Sequence, residues 1–253
     1  MIIYSIAKNT FKETARNKIF LVILGFGAVG ILLTKIVAFI SPETEQKMII
    51  DFGLATIYFF CTIIAIFNGA SLIHKDLEKR TIYTVITKPI GRHHFLIGKF
   101  FGLIASISVS IILFTIIFVL YCHFINIEIN ITFYWAVFFI FIQICIISSV
   151  SIMFSLISSP LLSATFTIAF YMSGYWVEGL LDLISLIKFD FFKQLMTYVY
   201  YLLPKLFYLD IKWEASSGAD ISYEKLLYMF LHGLFYIIFF LLISNLLLRR
   251  KSL

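Results

Sequence analysis

The sequence predicts an all-α polytopic membrane protein with six transmembrane helices, and three observations carry that expectation. Of its 253 residues, 61% are apolar and only 13% are charged, with a mean hydropathy of +1.00, which is too apolar for a soluble domain. Several long stretches contain no Lys, Arg, Asp or Glu at all. The basic residues are shared unequally among the segments that join those stretches.

A hydrocarbon core about 30 Å thick needs roughly 20 apolar residues per helix. Charge-free runs of that length are Phe52–Ile73, Phe100–Ile127, Ile129–Val177 and Leu226–Leu248, and Ile19–Ile40 joins them if Lys35 reaches its charge to the interface. The run Ile129–Val177 would extend about 73 Å as a single helix, so it must cross twice. Ser158-Ser159-Pro160 divides it, because proline lacks an amide donor and disfavours helix in the residue before it. The expected spans are about 19–40, 52–73, 100–122, 132–157, 161–180 and 226–248, within one membrane domain covering 1–253. No repeat or low-complexity segment interrupts it.

Outside the spans, Ile3, Ile6, Ala7, Thr10, Phe11, Thr14 and Ala15 recur at helical spacing, with Lys8, Lys12, Glu13 and Arg16 opposite them. This predicts an N-terminal helix over 1–18 lying in the interface. The charges extend to Lys18 and no small-residue cleavage site follows, so the segment is expected to stay on the protein. A long outer segment, about 181–225, carries ten aromatics between Phe189 and Tyr223, with Pro204 and a Ser216-Ser217-Gly218 break. Amphipathic helices lying on the outer leaflet fit that composition. A seventh span through Leu195–Leu209 fits poorly, because Pro204 and Lys205 interrupt it.

Orientation follows from the bases. With the N-terminus inside, the cytoplasmic segments hold 13 of the 20 Lys and Arg residues and net +10, while the outer segments net −4. Both termini are therefore expected in the cytoplasm, as in a bacterial inner-membrane protein. The overall +6 reports topology and anionic lipid headgroups rather than nucleic acid. Cys61 and Cys145 fall within expected spans and Cys122 at the outer end of the third, which disfavours a disulfide framework.

The sequence holds no catalytic constellation. Gly98-Lys99 is followed by Phe100, so there is no phosphate loop, and His93-His94 lack the partners of a zinc site. No cofactor is expected. No carboxylate stands in mid-span, which argues against an ion-driven carrier. Polar residues that would line a path are Gln143, Ser148, Ser151 and Ser155 in the fourth span and His232 in the sixth, although serines also bond back to their own helix. Gly98-x-x-x-Gly102 and Ala65-x-x-x-Gly69 would admit close helix contacts.

The cytoplasmic segment between spans two and three is the most informative. Leu77, Thr81, Val85 and Ile86 form one helical stripe that should end near Pro89. Such a stripe outside the membrane needs a partner.

In this segment Asp76, Glu78, Thr81-Ile82, Val85-Ile86, Pro89, Arg92 and Gly98-Lys99 resemble the motif of the ABC-transporter permeases of the second export class. The N-terminal Ala7-Lys8-Asn9-Thr10-Phe11-Lys12-Glu13 with Arg16-Asn17-Lys18 is similar to that family's first helix. Asp76 stands where the family more often has Glu, and Arg80 where Gly often precedes the Thr. The resemblance implies a half-transporter. A second permease subunit, identical or a sister, would complete the path. Cytosolic ATPase subunits would dock on a coupling helix through Asp76, Leu77, Glu78, Arg80, Thr81, Val85, Ile86, Pro89 and Arg92. ATP hydrolysis would then belong to those partners, and membrane lipid would be the remaining contact. A secondary carrier and a non-transporting membrane scaffold are the competing classes.

Overall fold

The computed structural model describes residues 2–34, 36, 45–74, 91–186, 190–202 and 204–250, and all regular structure among them is helical. In chain order the helices are α1 (Ile2–Ala15), α2 (Lys18–Leu32), α3 (Glu45–Leu72), α4 (Arg92–Phe124), α5 (Ile131–Ser155), α6 (Pro160–Leu186), α7 (Asp190–Leu202), α8 (Lys212–Ser217) and α9 (Tyr223–Arg250). A 3-10 turn, Leu206–Leu209, lies between α7 and α8.

Four described helices, α3, α4, α5 and α9, are long and apolar enough to cross a membrane. A fifth span is formed if α1 and α2, which bend by 65° at their junction, count as one. The sequence expectation of six adds two further elements. One is the stretch 19–40, of which α2 is described to Leu32 while 35 and 37–40 lie outside the described residues. The other is 161–180, within α6, a 27-residue helix. Its Ser163, Thr165, Thr167, Ser173 and three aromatic residues with polar tips, Tyr171, Tyr175 and Trp176, make it less apolar than the other four.

α5 is the central helix. It packs against α3, α4, α6, α8 and α9, and only a few of its side chains reach the surface. Small residues let its neighbours approach. Ser151 Oγ donates across the α3–α5 contact to the Ile66 carbonyl at 3.0 Å, and a Cβ on Gly69 would lie 2.7 Å from Ser151 Oγ. On α4, Phe118 fills the space beside Gly53 and stacks on Phe133 with centroids 5.4 Å apart. The chain leaves α5 where Ser158-Ser159-Pro160 predicts a break. Ser158 Oγ donates to the Phe154 carbonyl at 3.1 Å, and α6 starts at Pro160, the position where a missing amide costs least.

The stripe on α1 packs against α4, whose N-terminus lies at Arg92, eight residues before the expected start of the third span. Gly98 and Gly102 form the seat. A Cβ on Gly102 would come within 2.6 Å of the Ala7 carbonyl oxygen and 2.5 Å of Thr10 Cβ, so only glycine admits the α1 backbone there. Thr10 is fully buried as a result. Asn17, in the bend after α1, donates to Asn68 Oδ1 at 3.1 Å and fixes the bend to α3.

The segment after α6 enters the bundle rather than only covering it. Leu206, Leu209, Ile211 and Ala215 are buried, and Leu206 with the Pro204 carbonyl lies against Gly174 of α6. α8 ends at Gly218, whose φ of 72° is the left-handed geometry that glycine supplies at a helix terminus. Thr132 Oγ1 then ties the following Ala219 carbonyl to the start of α5 at 3.3 Å. Exposed apolar side chains form stripes on α2 (Leu21, Val22, Phe26, Val29) and on α9 (Leu227, Leu231, Phe235, Ile238), as expected of faces solvated by lipid.

Candidate functional site

Of the nine residues expected to dock an ATPase, Asp76, Leu77, Glu78, Arg80, Thr81, Val85, Ile86 and Pro89 lie outside the described residues. The ninth, Arg92, opens α4. Its Nη1 donates to the carbonyls of Leu248 at 3.1 Å and Arg249 at 3.0 Å. Both carbonyls lie in the last described turn of α9, near a helix C-terminus, where the helix dipole favours a cation. The end of the expected docking segment is thus fastened to the end of α9. Next to Arg92, the rings of His93 and His94 meet with centroids 3.9 Å apart.

The expected path residues fall into two groups. Gln143, Ser148, Ser151 and Ser155 are buried on α5 within the chain's own core. Gln143 Oε1 accepts from Tyr175 Oη at 3.3 Å, and Ser151 makes the α3 contact already described. Ser148 Oγ and Ser155 Oγ meet no hydrogen-bond partner among the described residues. His232 stands apart from all four, on the wall of a cavity of about 840 Å³ between α9 and the segment around the 3-10 turn. Its Nε2 has no hydrogen-bond partner among the described residues, and its ring meets Tyr236 edge-on at 5.0 Å.

The same cavity is lined by Lys205, a residue that sequence reasoning treated only as an interruption of a poor span. Lys205 Nζ donates to Tyr200 Oη at 2.9 Å and lies 4.4 Å from the Tyr200 ring centroid and 5.5 Å from that of Tyr208. Two phenol rings therefore hold the cation by quadrupole attraction. A second, smaller cavity of about 410 Å³ is walled by Tyr58, Tyr171, Tyr175 and Lys212. There Lys212 Nζ pairs with Asp210 at 2.9 Å and sits 4.6 Å from the Tyr58 ring centroid. The signal available in the sequence was the placing of Lys205 and Lys212 among aromatics, with Leu206, Leu209 and Ile211 supplying an inward face.

The long apolar helices around a buried central one, with lipid-facing stripes on the outer members, define a multi-pass membrane protein. The chain matches the family model described as ABC-2 family transporter protein over residues 4–253, and it belongs to that family of ABC-transporter permeases. Among proteins of curated function none matches it. Members of such a family are the membrane component of an ABC transporter, generally not themselves catalytic, and membership implies association with ABC ATPases.

Proposed function

We propose that the chain is the membrane-spanning permease subunit of an ATP-driven ABC export complex in a bacterial inner membrane. Two copies, or one copy and a sister subunit, enclose the substrate path. Separate cytosolic ATPase subunits hold the segment Asp76–Arg92 in a surface groove. In this reading the chain crosses six times, with spans near 19–40, 52–73, 100–122, 132–157, 161–180 and 226–248. The N-terminal helix lies along the cytoplasmic interface, both termini face the cytoplasm, and the segment 181–225 faces out.

The observation that carries this reading is the family match, which takes up nearly the whole chain. The sequence holds no phosphate-binding loop, so in this reading the fuel is bound by another subunit. ATP closes the ATPase pair, the docked segment moves with it, and the path changes the side to which it opens. The energy comes from the different nucleotide affinities of the two states. The bonds from Arg92 to Leu248 and Arg249 supply a mechanical route from the docked segment to α9 as well as to α4. Among the expected path residues, His232 borders an open cavity.

The test is co-purification. The isolated chain should neither bind nor hydrolyse ATP, and hydrolysis should appear when the chain is expressed with its ATPase. Stoichiometric nucleotide binding by the isolated chain would overturn the assignment.

A further inference from the structure

The smaller cavity, of about 410 Å³, lies between α3, α6 and the first residue of α8. Tyr58 of α3 with Tyr171 and Tyr175 of α6 form its aromatic wall, their ring centroids 6.1, 6.3 and 5.4 Å apart. Phe59 and Phe60 line it as well. Phe59 is exposed and Tyr171 and Tyr175 are partly so, so the cavity opens at the surface of the chain and its rings can be reached. A space of this size suits a small molecule. Five aromatic side chains around it suit one with a flat, apolar body.

The charge that these rings accept is visible in the structure. Lys212 lines the cavity, and its Nζ stands 4.6 Å from the Tyr58 ring centroid, near enough for the ring quadrupole to attract a cation. Asp210 Oδ2 holds the same ammonium at 2.9 Å. Asp210 Oδ1 also accepts the Lys212 backbone N–H at 3.1 Å, so the carboxylate stays in place when the lysine side chain moves. A second carboxylate, Asp51, lies on the face of α3 that carries Ala55 and Tyr58, four and seven residues on. It interacts electrostatically with both Lys212 and Asp210. Among these three groups two carboxylates stand against one ammonium, a balance that favours a further cation and opposes an anion. Lysine carries its charge on a flexible four-carbon stem, so the ammonium over Tyr58 can be exchanged for another.

We propose that this cavity binds an organic cation with an aromatic or apolar body, and that the Lys212 ammonium holds the ligand's place on Tyr58 until the ligand displaces it. The ligand's charge then rests on the Tyr58 face in the field of Asp210 and Asp51. Its body packs against Tyr171, Tyr175 and Phe59, and Lys212 turns aside. The inference goes beyond the permease reading and does not depend on how the ATPase docks.

The test uses the full chain in dodecyl maltoside and two probes of matched shape and opposite charge, tetraphenylphosphonium and tetraphenylborate, in equilibrium dialysis corrected for micelle partition. The wild type should bind the phosphonium more tightly than the borate. Lys212→Gln should raise phosphonium affinity by roughly tenfold, the scale of one cation–π contact freed from its tethered occupant. Lys212→Arg, which keeps a cation on the ring, should not raise it. Lys225→Gln removes an exposed cation outside this cavity and should change nothing. Tyr58→Phe keeps the ring and should preserve binding, whereas Tyr58→Leu should abolish the preference. Should Tyr58→Leu fail to fold, Tyr171→Leu, at a partly exposed ring of the same wall, and the Lys212→Gln comparison still decide. Unchanged phosphonium affinity in folded Lys212→Gln, or equal binding of the two ions by that variant, would overturn the site. In the complex with its ATPase, release of the phosphonium on adding ATP identifies a cargo site, and retention identifies a site for a resident amine such as a lipid head; either outcome keeps the site. Loss of ATPase coupling with phosphonium binding intact would count against the proposed function alone.

Discussion

Arg92 caps the helix that ends beyond Leu248: its guanidinium reaches the Leu248 carbonyl at 3.1 Å from 156 residues away in sequence. The contact joins the first turn of α4 to the last turn of α9. In the proposed docking, a displacement at Arg92 would act on both helices. Arg92→Ala should lower stability by about 1 kcal/mol, since one charged donor at a partly exposed helix end contributes on that scale. Its effect on ATPase stimulation should be larger than that loss implies. Arg92→Lys keeps the charge without the planar fork and should recover the stability more fully than the coupling. Thermal unfolding in detergent and ATPase assays on the assembled complex measure the two.

Gly102 makes a sharper structural prediction. A side chain there meets the Ala7 carbonyl, a backbone atom that cannot swing aside. Gly102→Val should destabilise the chain by about 1–3 kcal/mol, as overpacking does, and should detach α1 from α4. Gly25, in α2, has nothing within 4 Å of a Cβ. Gly25→Ala should be neutral or stabilising by up to about 1 kcal/mol through helix propensity. Melting curves of the two variants, with protease sensitivity of the N-terminal segment, test the pair.

The serines of α5 separate packing from path. Ser151→Ala removes a bond to the α3 backbone and should cost about 0.6 kcal/mol, the average for such bonds between membrane helices. Ser148 Oγ has no partner among the described residues, so Ser148→Ala should be neutral or slightly stabilising if it is only packed. A transport defect in Ser148→Ala with unchanged melting would instead place it on the path.

Much of the helical plan was legible because its determinants are local. A proline after two serines ends α5, a run of small residues at 98 and 102 seats α1, and charge-free runs mark α3, α4, α5 and α9. The inward turn at Pro204–Leu209 was not legible in the same way. Its aromatics and lysine suit a membrane surface as well as they suit a cavity. What decides between them is contact with Gly174 on α6, a relationship between distant segments that no local pattern encodes. The candidate site shows the same division. The polarity of His232 was visible, but its neighbour Lys205, 27 positions earlier, was not. The expected docking stripe at Leu77, Thr81, Val85 and Ile86 lies outside the described residues and rests on the sequence alone.

The proposed topology follows from charge asymmetry and is open to a direct check. Asp220 is exposed beside Gly218, at the end of the bundle that also holds the start of α5 and α9. Single cysteines at Asp220 and Ser252, in a background without Cys61, Cys122 and Cys145, should differ in labelling by an impermeant maleimide. In spheroplasts Asp220→Cys should react and Ser252→Cys should react only after lysis. Equal labelling would contradict six crossings with the termini inside.

The most direct test of the chain as an ATPase-coupled permease is Val85→Asp. A carboxylate buried in a docking groove without a partner costs several kcal/mol, whereas Glu78→Ala, at the rim of the stripe, should cost about 1 kcal/mol or less. Lys79→Asp, on the opposite face, should be tolerated. The quantity to measure is the amount of ATPase retained on membranes that carry each variant, together with its hydrolysis rate. The account predicts that Val85→Asp membranes lose the ATPase while Glu78→Ala and Lys79→Asp membranes keep it. Val85→Asp membranes that retain fully coupled ATPase would contradict docking through this segment, and with it the proposed route from ATP to the membrane helices.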